Sequence, residues 1–151
     1  MGKGLRVFGH PLHAVLSDFP LALLGTSLLW DVIGCWRGEA VWWAISFWNI
    51  AAGLAVALLA AMAGAADYAA IEERPQAQKL ATTHMMLMLL AVSLYAASLL
   101  VRGGPTPPVG LSRTATLALE SLGLILLGAG GWCGGHLVFH HGIGRDTNGE
   151  R

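Results

Sequence analysis

The sequence predicts an all-α fold, an integral membrane up-down-up-down four-helix bundle, and three observations lead there. The 151-residue chain is 55% hydrophobic and only 12% charged, whereas a soluble domain carries roughly a quarter charged residues. Its apolar residues fall into four runs, each close to the length of about 20 residues that a helix needs to cross a bilayer. Every break between runs is polar or rich in Gly and Pro. A backbone in lipid must satisfy its own hydrogen bonds, so the runs are read as helices. The length suits one bundle without a second domain. The net charge is zero, which offers nothing to nucleic acid.

Taken in order, Met1 to Phe8 leads directly into Gly9-His10-Pro11-Leu12-His13. That polar cluster does not read as a cleaved signal peptide. The first span runs over 12–35 and stops at Arg37-Gly38-Glu39; the second covers 42–66 and stops before Glu72-Glu73-Arg74-Pro75-Gln76. The third covers 80–101 and ends at Gly103-Gly104-Pro105-Thr106-Pro107-Pro108, a stretch that cannot be helical. The fourth covers 115–139, and the glycines of His141-Gly142-Ile143-Gly144 read as a helix stop. Four spans place both termini and the second break on one face, side A, and the other breaks on side B. Lys3, Arg6, Arg74, Lys79, Arg145 and Arg151 fall on side A; Arg37, Arg102 and Arg113 fall on side B. The positive-inside rule then sets side A, with both termini, in the cytoplasm. Trp30, Trp36, Trp42, Trp43 and Trp48 gather towards side B, as an interfacial belt would. Cys35 and Cys133 fall on opposite faces, which excludes a disulfide between them.

Ionisable groups in membrane spans are costly and are functional candidates by default. His10 and His13 open the first span, Asp67 closes the second, His84 begins the third, and His136, His140 and His141 end the fourth. The topology brings all of them to side A. Helical phase narrows the set. Gly130, Gly134 and His141 fall within about 40° of one another, while His136 and His140 point roughly 100° or more away. His13 shares a face with Ser17 and Pro20, with His10 about 60° off. Pro20 is expected to kink the first helix and free a carbonyl. His84 shares a face with Met88 and Tyr95.

Imidazole is the usual ligand of haem iron and of zinc, copper or non-haem iron. A b-type haem in a bundle needs two axial ligands from facing helices. His13 and His84 suit this, lying at similar depth on helices that are diagonal in a simple bundle. His10, His141 and Met88 are alternates. Gly130 and Gly134 offer room at the ring's edge, and Arg6, Arg74 or Lys79 can meet the propionates. A compact ion would use three imidazoles with Asp67 as ligand, or Asp67 as the partner of a ligand's second nitrogen. Against these stands the plainer reading of histidines that lie among the headgroups, which is cheap there. Asp18 and Glu120 lie further inside spans, for a proton path or a bond to a neighbouring helix. No nucleophile elbow, phosphate loop or CxxC occurs.

Gly9-His10-Pro11-Leu12-His13 followed by Phe19-Pro20 resembles the opening of a bacterial membrane family catalogued as domain of unknown function 2231. Asp67-Tyr68, the lone His84, and the ending Gly134-Gly135-His136-Leu137-Val138-Phe139-His140-His141-Gly142-Ile143-Gly144 resemble it too. The resemblance covers essentially the whole chain. It marks His10, His13, Asp67, His84 and His141, while positions 136 and 140 vary among members. Ala14 stands where the family often has proline. The family is similar to small membrane cytochromes in layout, and some members are joined to iron–sulfur ferredoxin-like domains. That implies electron transfer in the bacterial inner membrane, by analogy. The expectation is therefore a haem b electron-transfer protein that works with a redox partner or quinone, as a subunit of a larger complex or as a homo-oligomer. The alternatives are a Zn, Cu or non-haem Fe site, or a structural anchor subunit.

Overall fold

Each apolar run folds as a helix, and each helix outlasts its run. The computed structural model describes residues 5–69, 71 and 74–143. Its elements are two short strands, β1 (Arg6–Val7) and β2 (His10–Pro11), then α1 (Leu12–Arg37), α2 (Ala40–Ala69), α3 (Pro75–Arg102) and α4 (Gly110–Phe139). All four helices are long and apolar enough to cross a membrane. The chain is an all-α, multi-pass membrane bundle.

The helix ends follow local chemistry that hydropathy does not register. Pro75 and Gln76, read from sequence as part of a break, form the first turn of α3. Proline suits that position because its fixed φ is helical and no hydrogen bond there needs its missing N–H. Gly38 and Gly103 close α1 and α3 at φ 72°, each returning its N–H to a carbonyl four residues back. That left-handed backbone favours glycine. Residues 103–109 are not helical, as expected.

Before α1 the chain makes a small hairpin that the sequence reading missed. β1 and β2 pair antiparallel, Val7 opposite His10. Phe8 and Gly9 turn at φ 49° and 83°, the two positive values a type I′ turn demands. His10 therefore lies on a strand and is exposed, and the helical phase assigned to it does not apply. Leu5 N–H donates to Asp67 Oδ1 at 3.1 Å, which ties this hairpin to the end of α2.

α1 packs most extensively on α2, and α3 on α4; the α1–α4 and α2–α3 seams are thinner. α1 and α3 are thus diagonal, as the simple bundle required. Leu24, Ile50, Ala91, Tyr95 and Leu127 fill the centre. Trp36, Trp48, Leu58, Ile125 and Trp132 face outward, where lipid removes any penalty for exposed apolar surface.

The two helical hairpins are versions of one unit. Shifting α1 by 71 positions lays it on α3, and shifting α2 by 70 lays it on α4. His13 then falls on His84, Ser27 on Ser98, Ser46 on Thr116, Gly53 on Gly123 and Gly64 on Gly134. Packing repeats with the residues. A Cβ on Gly53 would stand 2.8 Å from Leu24 Cδ2, and one on Gly123 would stand 2.9 Å from Tyr95 Cε2. Leu24 and Tyr95 are themselves equivalent positions under the shift. Both hairpins start on the same side, so the pseudo-twofold axis runs along the membrane normal, the parallel-repeat arrangement.

Candidate functional site

The pseudo-equivalent histidines meet near side A. His13 is the second residue of α1, whereas His84 is ten residues into α3 because α3 begins early at Pro75. α3 therefore projects about two turns beyond the level of α1, which keeps the histidines at one depth. Their rings stand 6.3 Å apart, centroid to centroid, with planes at 84°.

Each ring is held the same way by the other helix of its own hairpin. His13 Nδ1 lies 2.8 Å from the Ala60 carbonyl oxygen, and His84 Nδ1 lies 2.7 Å from that of Gly130. A carbonyl only accepts, so each Nδ1 carries the hydrogen, and the neutral ring keeps its lone pair on Nε2. This is the usual support of a metal-ligating histidine, fixing its tautomer and strengthening its donor nitrogen. Glycine makes the approach possible. A Cβ on Gly64 would stand 2.8 Å from His13 Cε1 and Nδ1, and one on Gly134 would stand 3.0 Å from His84 Cε1. Gly130 takes Met88 instead, whose Sδ would lie 2.6 Å from an added Cβ. The Gly130–Gly134 face is thus filled by side chains of α3.

The spacing tests what the pair fits. With metal–nitrogen bonds of about 2.0–2.1 Å and about 1.1 Å from ring nitrogen to ring centre, two imidazoles trans on one ion have centroids roughly 6.2–6.4 Å apart. A tetrahedral angle would bring them to about 5 Å. At 6.3 Å the two rings are within reach of one shared metal centre, which they would hold through Nε2.

The other predicted residues lie elsewhere. Asp67 accepts the Leu5 N–H described above. His10 lines a recess of about 230 Å³ with Val7, Phe8, Leu12 and Val15. His141 does not share the Gly130–Gly134 face. α4 ends at Phe139 and Gly142 turns the chain at φ 66°, so helical phase cannot be extended to residue 141. His141 instead joins His136 and His140, the two set aside by that same phase. Arg74 donates to the His141 carbonyl at 3.3 Å. Arg6 and Lys79 are among the described residues, while Lys3, Arg145 and Arg151 lie outside them. Asp18 is exposed.

At the opposite end the structure holds a buried ion cluster. Arg102 Nη2 donates to Asp31 Oδ2 and, at 3.3 Å, to Glu120 Oε1; all three side chains are wholly buried. Ser98 Oγ donates to Glu120 Oε1 at 2.8 Å, and Arg102 Nη1 to the Trp43 carbonyl at 3.3 Å. All four helices thus meet in one polar knot. Sequence reasoning counted Arg102 as a loop charge on side B and passed over Asp31. Glu120 does bond to a neighbouring helix, one of its two expected roles. Trp43 is buried beneath Arg102 and Arg113, at 5.6 and 5.7 Å from the ring centre, so it is not a belt residue. Trp30 and Trp42 stack on each other at 5.8 Å. Cys35 and Cys133 are free thiols.

Comparison with known proteins agrees with the motifs. A family model described as "Predicted membrane protein (DUF2231)" matches residues 9–147, and the chain belongs to that family. No curated protein and no solved structure matches it significantly.

Proposed function

We propose that this chain, as a DUF2231 membrane protein, is an electron-transfer subunit that binds one haem b through His13 and His84. The observation that carries the reading is the matched pair of imidazoles. Two diagonal helices each present a carbonyl-braced ring, and the rings stand 6.3 Å apart, close enough to share one metal centre. When bound, haem supplies one-electron redox chemistry. The protein's part is to hold both Nε2 donors in place, to strengthen them through the Nδ1 bonds, and to surround them with apolar helices. Arg6, Arg74 and Lys79 lie towards the same side for the propionates. The chain has no iron–sulfur motif, so a partner protein or quinone must deliver or take the electron. With little mass outside the helices, the chain works as a subunit or homo-oligomer of a bacterial inner membrane, with both termini cytoplasmic.

A second reading keeps the same ligands and places a single Cu, Zn or non-haem Fe ion between them. It is favoured by how closely the rings sit on Gly64 and Gly134. A visible spectrum of the protein purified in detergent separates the two. Haem gives a Soret band and split α and β bands on reduction with dithionite, and His13→Ala or His84→Ala abolishes them. A colourless preparation that contains metal supports the second reading. A preparation with neither colour nor metal removes both. If both variants keep the haem spectrum, His13 and His84 are not the ligands.

A further inference from the structure

We propose that His136, His140 and His141 form a second site, at the end of α4, for one divalent transition-metal ion. One ring nitrogen from each residue lies within 4.8 Å of the other two. The three rings touch pairwise. His136 and His140 stack at 4.6 Å, His140 and His141 meet edge to face at 5.1 Å, and His136 and His141 at 5.7 Å.

The backbone produces this grouping. His136 and His140 are one turn apart and so face the same way. A continued helix would carry His141 round to another face. Here the helix stops, because His140 and His141 both return their N–H groups to the His136 carbonyl. Gly142 then reverses the chain, and Ile143 N–H closes on the Leu137 carbonyl at 3.0 Å. Arg74, at the start of α3, donates to the His141 carbonyl and holds the turn from outside. The trio is therefore set by a helix end and a neighbouring helix rather than by loose side chains.

The chemistry selects the ion. Three neutral nitrogens suit Zn, Cu, Ni or Co and give Mg or Ca nothing to bind. Nitrogens on one tetrahedral ion lie about 3.3 Å apart, so closing the trio takes side-chain rotations of about 1 Å. The C-terminal end of α4 carries the negative pole of the helix, which favours a cation within that last turn. His136 and His140 are exposed and His141 is half-buried, so a bound ion keeps an open position towards the surface, unlike the closed shell of a structural site. His13 and His84 are braced by the Ala60 and Gly130 carbonyls rather than by the trio, so the two sites stand or fall separately.

The test uses the full chain in detergent, purified without a histidine tag and stripped with chelator. Titration with Co(II), then Zn(II), is followed by the visible bands of bound cobalt and by calorimetry. One ion per chain is expected at the trio, with cobalt bands typical of nitrogen ligands and displaced by zinc; any further ion held between His13 and His84 is the one lost in the His13→Ala/His84→Ala variant. Losing even an outer-shell partner of a metal site weakens binding about 10–100-fold, so His140→Ala is expected to weaken it at least tenfold. The triple variant His136→Ala/His140→Ala/His141→Ala should abolish it, while the double variant His13→Ala/His84→Ala retains it. The helical circular dichroism of the triple variant checks its fold. The proposal is overturned if wild type takes up no cobalt, or if the triple variant binds as wild type does. It is equally overturned if the double variant, rather than the triple, loses the ion.

Discussion

Replacing Arg102 with methionine should be among the most damaging single changes in this protein, and the structure gives the size. The guanidinium is wholly buried and sits between two wholly buried carboxylates, Asp31 and Glu120. At the 3.3 Å of the Glu120 contact, the attraction is about 5 kcal/mol with an effective dielectric of about 20. Burial cancels much of that in the intact cluster. The cancellation fails once the cation is gone, because both carboxylates stay buried beside each other with no positive partner. Breaking a buried ion pair in this way costs about 3–5 kcal/mol. Removing all three charges is different. The triple variant Asp31→Leu/Arg102→Met/Glu120→Leu leaves no orphan charge and should be as stable as wild type, or more stable by up to about 4 kcal/mol. The assay is reversible unfolding in mixed micelles, driven by rising dodecyl sulfate and followed by tryptophan fluorescence. An Arg102→Met protein within about 1 kcal/mol of wild type, or a triple variant less stable than Arg102→Met, would refute the reasoning.

Three further outcomes test other parts of the structure. Gly64→Ala should cost more cofactor than Gly134→Ala, since its Cβ meets the His13 ring at 2.8 Å against 3.0 Å at His84; Gly25→Ala and Gly128→Ala, which meet open space, should leave the spectrum or metal content unchanged. The swap Asp31→Arg/Arg102→Asp should regain part of the stability that each single change loses, because a single change sets like charges together; a swap no better than either single variant contradicts the pairing. Asp67→Ala should free the segment at Leu5, seen as faster amide exchange over residues 5–11 with the helices unaffected, and unchanged exchange there would show that the bond carries no load.

The legible parts of this chain are those set by patterns along one helix. Hydropathy found four spans because a bilayer filters segments by mean polarity, and it misplaced their ends because Pro75, Gly38 and Gly103 act through backbone geometry. His13 and His84 were legible because phase and span counting together fix depth and face. What was missed needs three-dimensional partners. Arg102 closes a span, where a charge usually reaches for water, and only the depths of Asp31 and Glu120 on other helices reveal why it turns inward. The signal was present: two acids inside spans need a nearby cation. His141 was misplaced by extending helical phase through residues the sequence itself marked as a stop, with Gly142 in plain view. The repeat was hidden because the hairpins agree at few positions, chiefly the small and polar ones that meet at the centre.

That repeat explains why the two ends of the molecule differ. Two similar hairpins around a twofold axis place equivalent residues opposite each other. Near side A the equivalent residues are the same, His13 and His84, so they present identical donors to anything on the axis. At the other end identity would be ruinous, since two aspartates or two arginines facing across the axis would repel in a medium that cannot screen them. There the equivalent positions carry opposite charges, Asp31 on one hairpin and Arg102 on the other. The same arrangement disfavours pairing two first hairpins, which would oppose Asp31 to Asp31 with no cation between them. The buried ions thus join the two hairpins at this end through Asp31 and Arg102, and their removal as a set costs little stability. The pairing of the hairpins in turn brings the two imidazoles together.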